Sequence, residues 1–389
     1  MNTLKDKKDI KVATVAYYFH PQNNAESLVA TRLLNTESDI RYNVYTHESE
    51  EINELSLVKN LKIIQIRNSI SSSFLNWRIL NNKYIWAIRV FNKIKNSNFD
   101  IIYTRSTPII DHFVGLFLKI KTGKPWVIHF SDPWLDSPYR TKKPILDYFL
   151  KYLEDILFKK SNFIIVTNEN FASFLKKKDS KLAHKIIVLY HPVNNLQLSN
   201  PSIKSKSDKI ILSHIGCFYG KRSPNELLGL LNEIDRKDFE LNFVGNNRAD
   251  EIFNAVRDSI VFEKIMFLGK VDYNESLRLG LGSDYLLLVD ANLPKESLFL
   301  PSKLMDYFVI KKPIIAITNK ESPVHKILKE QEQFLLFYED SKEINIDKLE
   351  NIIKKRLTWE NNYSERMLLL FDSKSLNIKL NNLFMSNIS

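Results

Sequence analysis

Cysteine is almost absent. Cys217 is the single one in 389 residues, so no intrachain disulfide can form, and the chain suits a reducing cytoplasm. Glycine is scarce as well, at nine, which excludes Gly-rich repeats and gives each glycine positional weight. No uninterrupted apolar run reaches the roughly 18 residues that a bilayer-spanning helix needs. The opening MNTLKDKKDIK passes from polar residues straight into a strand-like run, so no secretory leader is expected. Acidic residues are under-represented in the first half, where residues 1–195 hold 29 Lys and Arg against 18 Asp and Glu. Residues 196–389 hold 27 of each, so the whole net charge of +11 lies in the first half. Such an excess attracts phosphate groups or an anionic membrane surface, or simply solvates the protein. No nucleic-acid recognition motif accompanies it, and no nucleic-acid partner is expected. Clustered histidines and Asp-x-Asp pairs are missing too, so no metal ligand set is predicted.

What is present is an apolar fraction of 44% with 12% aromatics, enough for full cores. The length exceeds what one ordinary core serves, so two domains are expected. Strand-like runs alternate with helical ones throughout, the pattern of an α/β protein with parallel sheets covered on both faces. In the first half the strands fall at 10–19, 42–47, 61–66, 100–105, 125–130, 163–168 and 186–191. The second half restarts at 209–216 and continues at 240–245, 264–269, 284–290, 313–318 and 334–338. Between the halves, VNNLQLSNPSIKSKSDK is polar and aperiodic, which places domains at 1–193 and 209–358 with a linker at 194–208.

Three of the nine glycines, Gly216, Gly245 and Gly269, each follow an apolar strand. In open α/β sheets ligands bind beyond the carboxyl ends of the strands, where a residue without Cβ lets the backbone approach. Directly after the first of them, Lys221 and Arg222 precede Ser223-Pro224 and an apolar-periodic helix. Cations beside the positive end of a helix are unfavourable unless an anion sits between them. A second such point lies at FLPSKLMDYF, where Pro301-Ser302 can open a helix, so that backbone N–H groups, the Ser302 hydroxyl and Lys303 converge on a place for phosphate. Asp306 stands one turn further along, where a carboxylate can accept both vicinal hydroxyls of a ribose.

On these residues the chain resembles the two-domain GT-B glycosyltransferases, specifically the retaining family 4 enzymes of bacterial surface-polysaccharide synthesis. FLPSKLMDYFVIKKPIIAIT is similar to the family's Pro-Ser-Lys-x-x-Glu-Tyr segment followed by a Gly-Lys-Pro strand. IGCFYGKRSPNELL resembles its donor-side glycine and basic pair. DIIYTRSTP leading to TGKPWVIHFSDPW is similar to the strand pair of the first domain, and YYFHPQNNAESLVATRLL to its first strand and loop.

The resemblance implies two Rossmann-like domains facing a central cleft, with the last helices, residues 359–389, packing back on the first domain. It implies a nucleoside-diphosphate sugar as donor, held by Gly216, Lys221, Arg222, Gly245, Gly269, Ser302, Lys303 and Asp306, and no metal or other cofactor. Arg222 and Lys303 would stabilise the departing diphosphate, and Asp132 would orient the acceptor hydroxyl or take its proton. The acceptor, a saccharide or lipid-linked saccharide, would meet His20, Asn23, Asn24, His129, Asp132 and Trp134. Asp132 and Trp134 equally suit a loop cap and a core aromatic, and His129 a buried histidine.

Departures from the family pattern are visible. Asp306 replaces Glu, and the upstream Glu position is Leu298, with Glu296 two residues earlier. Asn23-Asn24 replaces Gly-Gly, a substitution that Asn's tolerance of positive φ allows. Lys311 replaces Gly, which suggests a turn with no need of a left-handed residue. Two basic amphipathic segments, Arg78 to Lys95 and Arg140 to Lys160, suit either the protein's own core or peripheral contact with an anionic membrane at the inner face of the plasma membrane. The alternatives to a transferase are a nucleotide-sugar epimerase or hydrolase of the same fold, and a nonenzymatic accessory subunit.

Overall fold

The computed structural model describes residues 9–50, 55–67, 82–194, 209–235, 238–247, 253, 257–293, 296–354 and 369–387. All of the linker segment except Asn194, residues 78–81 of the first basic segment and residues 359–368 lie outside the described residues. The chain forms two compact units, Met1–Asn194 joined by Leu370–Ser389, and Asn195–Leu369. Among the described residues no helix is long and apolar enough to cross a membrane.

The first unit is built on a seven-stranded, all-parallel sheet. Its strands are β1 (Lys11–Val15), β2 (Arg41–His47), β3 (Leu61–Ile66), β4 (Ile101–Ser106), β5 (Trp126–Phe130), β6 (Phe163–Val166) and β7 (Ile186–Val188), in the order β3-β2-β1-β4-β5-β6-β7. Central strands such as WVIHF are buried at every residue, because helices cover both faces and the run of Val, Ile and aromatics has no solvent side. The helices are α1 (Ala25–Leu34), α2 (Asn82–Ile94), α3 (Ile110–Thr122), α4 (Pro144–Lys160) and α5 (Glu169–Lys178). Right-handed crossovers put α1, which leads outward to β2, on one face, and α2 to α5, which lead the opposite way, on the other. The first strand is shorter than the sequence predicts, because the Tyr17 amide turns away to the Asp111 carboxylate at 2.8 Å. The seventh is shorter too, ending ahead of His191-Pro192.

The second unit repeats the plan with six parallel strands, β8 (Ile210–Ile215), β9 (Phe239–Val244), β10 (Ile265–Gly269), β11 (Tyr285–Val289), β12 (Ile314–Thr318) and β13 (Phe334–Phe337), in the order β10-β9-β8-β11-β12-β13. Its helices are α6 (Asn225–Glu233), α7 (Tyr273–Leu281), α8 (Lys303–Ile310), α9 (Pro323–Lys329) and α10 (Lys342–Lys354). In each sheet the strand order reverses once, between β1 and β4 and between β8 and β11, and such switch points open a crevice at the strands' carboxyl ends.

One expectation fails here. Lys311 closes α8 in the left-handed region, at φ 56 and ψ 38, so the turn does require that conformation. Its amide bonds the Tyr307 carbonyl at 3.1 Å, the closure that Gly usually supplies at a helix end.

The chain ends with α11 (Ser373–Met385), which belongs to the first unit. Leu376, Leu380 and Phe384 join Leu33, Leu34, Tyr42 and Tyr103 in one core. Asn377 Nδ2 donates to the Leu33 carbonyl at 2.8 Å, and the Tyr42 hydroxyl donates to Asn381. Phe384 is fully buried, so Phe384→Ala should destabilise this unit by about 3–5 kcal/mol. Urea unfolding followed by tryptophan fluorescence measures this directly, since Trp86 and Trp126 are buried in the same unit.

Candidate functional site

In the second unit, backbone geometry and two cations converge past β8. Gly216 and Gly245 adopt φ of 116° and 135°, values that L side chains rarely adopt. Space forbids a side chain at Gly245 as well, where a Cβ would lie 2.8 Å from the Gly216 carbonyl, while a Cβ on Gly216 would meet the flexible end of Lys303, 2.8 Å from its Nζ. Gly269 joins the row, its carbonyl accepting from the Gly245 amide at 2.7 Å. The strand-end glycines thus lie side by side, and the Lys303 side chain lies across the first of them.

Lys303 is held by a residue that the sequence reading passed over. His214 is buried in β8 and donates from Nδ1 to the Leu287 carbonyl at 2.9 Å. Its Nε2 is therefore an acceptor, and Lys303 Nζ donates to it at 3.0 Å. Burial, reinforced by Lys303, holds the imidazole well below its usual range, so it is neutral. Burial is also the first cause, and Arg222 the second, of a Lys303 pKa lowered to about 7. Arg222 is 7% exposed, stacks over the Tyr219 ring at 5.1 Å and donates to the Tyr219 hydroxyl. Two cations are thus close enough to repel each other, and no carboxylate pairs with Lys303 among the described residues. Such an arrangement favours an anion placed between them.

The frame around the cations is stiff. The Tyr307 hydroxyl accepts from the Ile215 amide at 3.0 Å and donates to the Leu287 carbonyl at 2.9 Å, tying α8 across the β8–β11 switch point. Asp290, which follows β11, is fully buried and accepts from Thr318 at 2.8 Å and from Ser322. Burial raises its pKa, against the opposing pull of Ser322 and Arg222. Ser302 caps α8 without a side-chain bond. Asp306 lies one turn on and accepts from the Tyr273 hydroxyl of α7 at 2.8 Å. Lys221 is exposed, and its carbonyl accepts from the Asn292 amide at 3.0 Å. Leu298, at the position where the family carries Glu, is buried in an apolar strap with Phe299 and Leu300, and Glu296 is exposed.

In the first unit the strand-end residues divide. His129 was expected near an acceptor, but it is 2% exposed. Its Nδ1 accepts from Tyr103 at 2.7 Å and from Arg105 at 3.0 Å, so its ring belongs to the interior. Asn24 is the cap of α1, its Oδ1 accepting from the Ser27 amide at 3.0 Å. The loop needs no positive φ at Asn23 or Asn24: Asn24 is extended, at φ −139, and among the described residues the left-handed non-glycine ones are Lys311 and Glu332. His20 is partly buried, its amide donating to Thr31 at 3.2 Å, and burial lowers its pKa. Trp134 packs edge-on to Phe113 at 5.9 Å.

Around Asp132, which is half-buried, lies a charged cluster that the sequence reading missed. Arg105, buried in β4, approaches Glu26 at 4.0 Å and donates to Ser131 at 3.3 Å. Ser131 in turn donates to Glu26 at 2.8 Å. Burial pushes the Glu26 carboxyl up to about 7, with Asp132 adding to the rise and Arg105 opposing it. A carboxyl poised in this way can hold or release a proton near neutral pH.

Neither a family model nor a curated protein sequence matches the chain. Solved structures do. The sucrose-phosphate synthase of Thermosynechococcus elongatus superposes with a TM-score of 0.74 at 14% identity, covering 97% of this chain and 98% of its own. HepE of Anabaena, in complex with UDP and glucose, gives 0.72 at 14% identity over 97% and 100%. WaaG, a glycosyltransferase involved in lipopolysaccharide biosynthesis, gives 0.67 at 14% over 96% and 99%. The likeness spans nearly the whole chain, and the fold is that of the GT-B glycosyltransferases.

Proposed function

We propose that the protein is a glycosyltransferase that moves a sugar from a nucleoside-diphosphate sugar to an acceptor hydroxyl. The observation that carries this reading is Lys303 lying against the strand-end Gly216, with Arg222 near enough to repel its charge. In the proposed reaction the bond between the anomeric carbon and the diphosphate breaks, a bond from that carbon to the acceptor oxygen forms, and the acceptor proton must leave. Lys303 and Arg222 neutralise the diphosphate as it departs, where charge develops most. Gly216 and Gly245 let the backbone approach it, with Gly269, Lys221 and Ser302 at its border, and Asp306 receives the ribose hydroxyls. Neutralisation by the two cations removes the need for a metal. Asp132 accepts the proton or orients the acceptor, with Glu26 as its neighbour.

The complexes of HepE with UDP and with UDP-glucose support a nucleotide sugar as donor, and the lipopolysaccharide role of WaaG supports a lipid-linked saccharide acceptor. On this reading the enzyme works in the cytoplasm on growing chains of capsule, O-antigen or exopolysaccharide, and it retains the anomeric configuration as the resemblance implies. The test is saturable binding across a panel of sugar nucleotides, followed by nucleoside diphosphate release with and without lipid-linked saccharide. Release that needs acceptor is expected. Release without acceptor assigns a hydrolase, and a panel without any binder overturns the donor site.

A further inference from the structure

Glu26 sits in the first turn of α1, a helix already capped by Asn24, which accepts from the Ser27 amide. A carboxylate there ordinarily faces water at the positive end of its helix. Glu26 instead turns inward, leaving 25% of its side chain exposed, and accepts from the Ser131 hydroxyl at 2.8 Å, 105 residues further along the chain. Asp132 follows directly, so this bond ties the segment that bears Asp132 to Glu26. The nearby cation does not seal the cluster. Arg105, 2% exposed, gives its N–H groups to His129 at 3.0 Å and to Ser131 at 3.3 Å. It reaches Glu26 at 4.0 Å, too far for a hydrogen bond. Its Nε is buried with no hydrogen-bond partner among the described residues. A structural ion pair at this depth needs close geometry to offset desolvation, and this one lacks it.

Charge around Glu26 decides what the cluster can hold. Asp132, after β5, acts on Glu26, and the fully buried Asp111 of α3 feels the Glu26 charge in turn, against one guanidinium from β4. Lys83 of α2 acts on Asp111. His112 of α3 and His129 of β5, which face Arg105, add no charge, because burial holds both imidazoles below their usual range. Two neighbouring carboxyls and a single cation beyond hydrogen-bond reach favour a proton on Glu26. Burial lifts its carboxyl to about 7, with Asp132 adding to the rise against the pull of Arg105. A group that binds a proton near neutral pH, beside the residue assigned to the acceptor hydroxyl, is matched to receive that hydroxyl's proton.

We infer that Glu26 and Asp132 form one acid–base pair, in which Asp132 meets the acceptor hydroxyl and Glu26, a positioning residue acting through it, is where the proton comes to rest. As the acceptor oxygen bonds to the anomeric carbon, its O–H bond breaks and the proton passes to Asp132 and on to Glu26. The diphosphate leaves with the electrons of the bond to the sugar, and Glu26 later gives the proton to water. The inference deepens the proposed function and rests on it for the acceptor. The carboxyl titration below needs no substrate, and the donor site is in the other unit, so the pair and the donor reading can fail separately.

The experiment is an NMR titration of the full chain, carrying a carbon isotope label at the glutamate side-chain carboxyl. A resonance that titrates at about pH 7 and is lost in Glu26→Gln is expected. Asp132→Asn should move that titration down by about one pH unit, and Ser131→Ala should move it up by removing a hydrogen bond to the charged form. In transfer to lipid-linked saccharide at a saturating concentration of the sugar nucleotide that the panel selects, kcat should rise with pH to a plateau above about 7. Glu26→Gln should lower kcat on the order of 100-fold and move the rise toward the ordinary carboxylate range. Its donor binding should be unchanged, which also shows that the variant folds. A purely structural Glu26 would leave the profile in place, since Gln can still accept from Ser131. A Glu26 that titrates in the ordinary carboxylate range, or is indifferent to Asp132→Asn, overturns the pair, and a Glu26→Gln protein with the unaltered kcat profile overturns its part in transfer.

Discussion

Lys303→Ala should weaken binding of the proposed sugar-nucleotide donor on the order of 100-fold, about 2.7 kcal/mol, while the protein stays folded. The size follows from what the ammonium faces. Its contact within the protein is a neutral imidazole at 3.0 Å, and its neighbour Arg222 repels it, so the free protein gains little from its charge. A bound diphosphate changes the sign of that environment and gains a charge-assisted hydrogen bond in a half-buried site, where such bonds are strongest. Arg222→Ala should give a loss of similar order. On the proposed assignment both side chains grip one diphosphate, so the double variant should lose less than the two single losses combined. Isothermal titration of the four proteins measures this coupling. Fully additive losses would mean that the cations serve separate ligands, and near-normal turnover by Lys303→Ala would remove the diphosphate assignment altogether.

How much of this was legible in the sequence depends on the kind of signal. Strands were easy to place because Val, Ile and aromatic runs between polar breaks have one reading in a parallel sheet, and LKIIQI matches β3 residue for residue. Gly216, Gly245 and Gly269 were legible because scarcity gave each a reason, and that reason is positive φ, joined at Gly245 by the Gly216 backbone where a Cβ would stand. His214 stayed hidden because an ionisable residue inside a strand looks like one more alternating position. The available hint was its spacing of two from Gly216, which places both on one face of the strand. Arg105 and Glu26 are 79 residues apart in the chain, and only the β1–β4 switch brings their elements together. Lys311 misled because its left-handed backbone is imposed by the end of α8, whatever the side chain prefers. Asn24 was read as a ligand contact when its local role, capping α1, already satisfied the residue type.

Donor affinity should fall as pH rises through about 7. In the free protein, burial and Arg222 lower the Lys303 pKa to about 7, against smaller raising effects of Cys217 and Asp306, with neutral His214 at its Nζ. Above that pH the amine is largely neutral, and it must take up a proton to meet a diphosphate. Binding of the proposed sugar-nucleotide donor should therefore weaken by up to about tenfold per unit between about pH 7 and the pKa of the bound lysine. A sugar nucleotide suits the measurement because its bridging diphosphate has no second ionisation in this window, unlike free UDP. Titrations in two buffers of different ionisation enthalpy should report an uptake approaching one proton per donor bound. Lys303→Arg keeps a permanent charge and should flatten the profile, and Arg222→Ala should move its midpoint upward by removing the second cause of the shift. The stability of the free protein runs the other way. With a folded-state pKa below the unfolded 10.5, the unfolded chain binds more protons between about pH 7 and 10.5, so Lys303 makes the free protein more stable as pH rises through that window. Stability that rises while donor affinity falls is a pairing that a general alkaline loss of structure cannot produce, and an affinity flat across the window would show that Lys303 is already charged before the donor arrives.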